Sequence, residues 1–226
     1  MRNAGVGLSL LFAFWGAAAQ ACKLDLNVSS ATCQGSAGYS GGSTPLVASG
    51  LGVASITGID SPLNPNQVLN LTGGQLNFTT GAFRGTAGGT GWDFAKGGSV
   101  SVTGAIPSLG IAAGSVLLEG SFTDTTSVRP QDASDLKVLG ATSLNVVNPQ
   151  LASYLGLSTG STAASLLSDI VHAQGTPGAS FASDCSTSDQ QVTSQVAEPG
   201  MIVLYASTLL GLTAWGRRGL RARRPG

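Results

Sequence analysis

A mainly β protein is predicted: an antiparallel β-sandwich or barrel-like ectodomain with one or two short helices, plus a C-terminal transmembrane helix. Three features of the 226-residue chain lead there. Short runs of alternating apolar and polar residues recur from about Leu24 to Phe181, separated by glycine-rich turns, which is the pattern of half-buried antiparallel strands. A single stretch, 148–156, carries clear helix start and stop signals. Met201 to Trp215 is a run of fifteen uncharged residues that stops at a cluster of arginines. The expected division is a secretory signal over 1–21, the β-rich ectodomain over 22–181, a flexible stalk over 182–196 and a C-terminal address over 197–226.

The N-terminus sets the compartment. One early arginine, Arg2, precedes an apolar stretch from about Ala4 to Trp15, and small residues follow as far as Ala19-Gln20-Ala21. That is a secretory signal with an A-x-A cleavage site, too short for a stable span. Ala19 and Ala21 mark the site, and its partners are the Sec translocon and signal peptidase. Cleavage after Ala21 leaves Cys22 first in the mature chain. A lipoprotein reading would lipidate Cys22, although Ala19 stands where such signals carry a leucine-like residue. The chain has three cysteines, Cys22, Cys33 and Cys185. In an oxidising compartment one pair forms a disulfide, in any of three pairings, and the remaining thiol is free or lipidated.

In the body, Leu69 to Thr72 and Gln75 to Phe78 alternate on either side of Gly73-Gly74, the signature of a hairpin with a two-residue turn. Ser99 to Ile106 alternates with Val100, Val102 and Ile106 on the apolar face. Val116–Leu118 and Ser121–Thr123 together form another strand, and Leu136–Leu139 and Ser143–Val147 continue the series. The helix is expected after Asn148 as N-cap, with Pro149 in the first turn and Gly156 at the end, so that Leu151, Tyr154 and Leu155 share one face. A second helical stretch is expected over Ala163–Leu167. Gln34 to Ser43 reads as a loop, and the Gly-, Ser-, Asp- and Gln-rich segment after Gly175 as a stalk.

Charge narrows the function. Between Cys22 and Val196 five basic residues face ten acidic ones, whereas Arg217, Arg218, Arg221, Arg223 and Arg224 crowd the last ten positions. A mildly acidic body excludes nucleic acid as a partner, because phosphate binding needs a basic face. Charged residues make up only 10% of the chain and Gly, Ser, Thr and Ala dominate the remainder, a composition of exported surface proteins rather than cytosolic enzymes. His172 is the single histidine and no G-x-S-x-G elbow supplies a nucleophile beside it. No C-x-x-C or D-x-D-x-D-G spacing offers a metal site. Asp124, Asp132 and Asp135 read as solvated loop carboxylates, Glu119 as an outward strand residue, and Trp92 and Phe94 as core aromatics. The sequons at Asn27, Asn70 and Asn77 are chance products of a Ser/Thr-rich chain. The expectation is no catalytic residue, no metal and no cofactor.

The C-terminal address is the most specific feature. As a helix, Met201 to Trp215 spans about 22 Å at 1.5 Å per residue, short of the roughly 30 Å hydrocarbon core. Arginines behind it stay in the cytoplasm by the positive-inside rule and leave the body outside. Ahead of it stand Ala197, Glu198 and Pro199. A secretory signal, a short Pro-Glu-Pro-like step, a minimal span and an RR-x-x-R-x-RR tail together resemble the PEP-CTERM sorting signal, with Ala197 where the motif has its first proline. GGSVSVTGAIPSLGIAAGSVLLEGSFT (97–123) and NPQLASYLGL (148–157) are similar to segments of other PEP-CTERM surface proteins. The resemblance implies a membrane exosortase as a transient partner that recognises Glu198 and Pro199. It also implies a Gram-negative host, an inner-membrane intermediate, and delivery to the cell surface or an extracellular exopolysaccharide or biofilm matrix. A carbohydrate- or calcium-dependent adhesin using the loops near Trp92 and 124–135, and a type I protein with a permanent anchor, are the alternatives.

Overall fold

Alternation of apolar and polar residues builds the whole molecule. The computed structural model describes residues 23–28, 34–157, 163–183, 185–186 and 193–196. They form a sheet of thirteen strands in which every pairing is antiparallel, and a helix, α1 (Pro149–Leu155). Four strands each take two others end to end along one edge: β3 (Pro45–Ile59), β4 (Val68–Gly85), β9 (Asp135–Val147) and β10 (Ala163–His172). β1 (Lys23–Val28) and β2 (Ser36–Tyr39) share an edge of β3, while β5 (Trp92–Phe94) and β6 (Gly97–Ile106) share an edge of β4. β7 (Ile111–Phe122) and β8 (Thr126–Pro130) share an edge of β9. Finally β12 (Cys185–Ser186) and β13 (Thr193–Val196) share an edge of β10.

The order is an up-and-down meander that returns to its start. β11 (Phe181–Ala182) pairs with β2, β12 lies beside β2, and β13 lies beside β1. Ser183 extends the β2–β11 junction. Its backbone N–H donates to Ala37 O at 2.8 Å, and its hydroxyl accepts from Ala37 N at 2.8 Å.

Apolar side chains of this sheet point inward. Leu24, Leu26, Leu46, Leu51, Leu76 and Val138 are among the fully buried ones, and the outward positions between them are mainly Ser, Thr, Gly and Asn. Each end of the interior is filled differently. At one end Leu151, Ala152 and Leu155 of α1 are buried. At the other, Tyr39, Phe83, Trp92, Phe94 and Phe181 stack edge-on or tilted with ring centroids 5.0–6.2 Å apart, the geometry that aromatic quadrupoles favour.

The expected α1 is present, capped as its sequence dictates. Asn148 Oδ1 accepts from the N–H groups of Gln150 and Leu151, and Gly156 closes the helix in the left-handed region. β6 buries Val100, Val102 and Ile106 as its alternation requires. Other expectations need correction. Gly73-Gly74 is not a hairpin turn, since β4 runs straight through it with Gly73 at φ 61°. The positive φ is absorbed in a bulge, where the registers with β3 and β6 both slip. Residues 163–167 are strand rather than helix because β9 on one side and β13 on the other supply backbone partners, and such pairing overrides weak helix propensity. β2 occupies part of the expected Gln34–Ser43 loop. The strand expected across Gly120 is present as β7, whereas the segments on either side of Gly140 merge into β9.

The expected stalk over 182–196 is corrected in the same way for its described residues. Ala182, Cys185–Ser186 and Thr193–Val196 are paired strands, and Ser183 is buried. Polar composition suggested a stalk, but on a sheet of this kind polar residues form the outer face. Ser183→Ala is therefore expected to cost about 1–3 kcal/mol, because it strands the buried Ala37 N–H; urea unfolding measures this, and a stalk residue would give no change.

Candidate functional site

The address expected to carry function starts where β13 ends. Val196 pairs with Ala163, and Ala163 pairs in turn with Leu144 of β9. The chain therefore leaves the sheet at the end filled by α1. Ala197, Glu198, Pro199, the 201–215 run and Arg217, Arg218, Arg221, Arg223 and Arg224 lie outside the described residues, as do Ala19, Ala21, Cys22 and Cys33. Cys185 lies in β12, in register with His172. Among the described residues no helix is long and apolar enough to cross a membrane.

The other end gathers most of the titratable groups. Asp132 closes the turn between β8 and β9: its Oδ1 accepts from Ser134 N at 2.8 Å, Asp135 N at 2.9 Å and Ser134 Oγ at 3.2 Å. The Ser134 N–H is the main reason its carboxyl sits below the usual aspartate range, with the other donors adding to it. A carboxyl held low by folding stabilises the turn above its ordinary pKa, and that contribution disappears as pH falls through the lowered value. Asp135 Oδ1 meets His172 Nδ1 at 2.9 Å, where β9 and β10 reach the end of their register. This contact fastens two neighbouring strands at the rim. Asp124 accepts from Thr125 N at 2.7 Å at the β7–β8 break. Asp132 and Asp135 thus share one turn, and Asp124 is spent on another. Among the described residues no three His, Cys, Asp or Glu side chains gather as metal ligands. Glu119 lies on the outer face of β7, as strand alternation required.

Trp92 and Phe94 are fully buried. Trp92 Nε1 donates to Ala179 O at 2.7 Å and its ring meets Phe181 edge-on, so the segment before β11 is pinned onto the aromatic cluster. Arg129 locks the outside of the same strands. Its Nη2 donates to Asp93 Oδ1 at 3.0 Å, and its Nη1 donates to Trp92 O at 3.1 Å and Val128 O at 3.0 Å. A buried indole offers no face to a sugar, which removes Trp92 as a stacking platform. Two open depressions lie at this end. One is lined by Tyr39, Val47, Ser49 and Phe181, the other by Pro130, Asp132, Leu136 and Thr176, and Gln174 borders both. Sequence reasoning missed both, because residues far apart in the chain build them.

Comparisons with family models, with curated proteins and with solved structures give no match.

Trp92→Ala should cost about 3–5 kcal/mol in urea unfolding, as for other large buried aromatics. Trp92→Phe should stay folded and bind any polysaccharide with the same affinity as the wild type. A selective loss of binding in the folded Phe variant would overturn the purely structural role.

Proposed function

We propose that this chain is an exported, non-enzymatic protein of the cell surface or extracellular polymer matrix of a Gram-negative bacterium. Its body is barrel-like, followed by a C-terminal transmembrane helix over about 201–215, and it is delivered through a C-terminal signal of PEP-CTERM type. The observation that carries this reading is the order of parts after Val196: Ala197-Glu198-Pro199, an uncharged run of fifteen residues, then five arginines. A run of that length is a minimal span. The arginines hold its far end in the cytoplasm and leave the body outside. A marginal span parks the protein in the inner membrane, and Pro199, which cannot continue a helix inward, keeps the step before it accessible to a membrane exosortase.

The barrel-like assignment is supported by a strand order that returns from β11 to β2 around an apolar interior. Outward positions rich in Ser, Thr and Asn suit contact with hydrated exopolysaccharide in a biofilm matrix. One disulfide among Cys22, Cys33 and Cys185 belongs to the same proposal. Ala197 in place of the motif's first proline favours one second reading, a type I protein that keeps its anchor.

Two measurements test this. Intact mass of the surface protein, from cells with and without the exosortase, should show loss of residues 201–226 only when the enzyme is present. Their retention in both would support the permanent anchor instead. Thiol titration of the unlipidated mature chain, denatured without reductant, should find about one free thiol, and about three after reduction, as expected when one pair is oxidised.

A further inference from the structure

The exit point of the chain fixes which end of the sheet faces the bilayer. Four residues, 197–200, separate Val196 from Met201. Fully extended at roughly 3.3–3.6 Å each, they and the bond beyond them reach no more than about 18 Å. The headgroup layer on one side of a bilayer takes up roughly 5–8 Å of that. An end of the sheet tethered so briefly stands within about 13 Å of the headgroups.

That end differs from the other in chemistry. Its connections comprise 60–68 between β3 and β4, 107–116 at the β6–β7 turn, and 145–157 through α1. Asp60 is the one charged residue in all three segments. Among the described residues, four of the five most exposed large apolar side chains are here: Leu63 at 64%, Val68 at 58%, Val146 at 42% and Val116 at 41%. Local bonds tie Leu63 and Val116 to the two ends of α1. Leu63 N donates to Leu155 O at 3.3 Å, Asn148 N donates to Leu117 O at 2.9 Å, and Asn148 Nδ2 donates to Val116 O at 3.3 Å. Arg84, Asp93, Arg129, Asp132, Asp135 and Lys137 belong to the opposite half, where β4 ends, β8 meets β9, and β9 begins.

We infer that the α1 end of the ectodomain is a membrane-contact surface, with Leu63, Val68, Val116 and Val146 resting in the headgroup layer of the bilayer that holds the C-terminal span. A rim whose charged positions are few, Asp60 and Lys23 at the start of β1 in register with Ile59, loses little ion hydration there, and exposed apolar side chains gain by leaving water. The Ala197–Pro199 step then lies in the narrow gap between sheet and membrane, at the depth a membrane-embedded enzyme reaches. This inference rests on the reading of 201–215 as a span.

The full chain without its signal, reconstituted in phosphatidylcholine vesicles, tests both readings separately by tryptophan quenching. The native tryptophans beyond the signal are Trp92, buried far from this end, and Trp215 in the apolar run. A spin label on the acyl chain should quench Trp215; failure there overturns the span itself. A spin label on the headgroup should quench the added emission of Val68→Trp several-fold more than that of Val47→Trp, an exposed site (44% against 58% for Val68) at the opposite end. If Trp215 is quenched but the two added tryptophans respond alike, the contact surface is wrong while the span stands. If Val68→Trp emission shifts blue with protein concentration in detergent and ignores the headgroup label, a second copy covers this end and the proposal falls.

Discussion

Two short hydrogen bonds between Ala37 and Ser183 join residues 146 positions apart in sequence. On one side of this junction is β2, on the other the segment that continues into β12 and β13. If they parted, each would present a row of unpaired backbone donors and acceptors, the exposed edge that invites aggregation. Held together, they leave the sheet with an inside and an outside, and most of the remaining structure follows from that division. Apolar side chains have one place to go. Polar ones, however much they resemble a linker in composition, become the outer face.

The two ends of the interior are finished by unlike means. α1 covers one with Leu151, Ala152 and Leu155, held in place by caps at Asn148 and Gly156. The aromatic cluster fills the other and binds the returning chain through Trp92 and Ala179. The asymmetry reaches the surface as well. Polar contacts such as Arg129–Asp93 and His172–Asp135 stand with the aromatic cluster, whereas the helical end has few charged residues. Since the chain leaves at the sparsely charged end, the surface nearest a bilayer would be the one with less hydration to lose.

Much of this was legible in the residues. Val100, Val102 and Ile106 announced the buried face of β6 by alternation alone, and α1 was bounded correctly by Asn148, Pro149 and Gly156, because caps act within a few residues of themselves. The failures share a cause. Gly73-Gly74 has the chemistry of a turn, yet two neighbouring strands hold the chain on course and use the same φ for a bulge. Ala163 to Leu167 has modest helix propensity and no local signal of strand, so its state depends on β9 and β13. At the candidate sites, Trp92 and Phe94 were readable as core from their type, whereas the Asp135–His172 contact is a matter of register between β9 and β10.

By itself the sequence determined which side chains seek the interior, where α1 begins and ends, and the order of step, apolar run and arginines after Val196. These are local properties, set by side-chain chemistry and short-range backbone preference. Only the tertiary structure decided that Cys185–Ser186 and Thr193–Val196 form strands, that the sheet returns to β2, and at which end the chain departs. A strand's hydrogen-bond partners come from distant sequence, so composition near Ser183 or Val196 carries no record of Ala37 or Ala163.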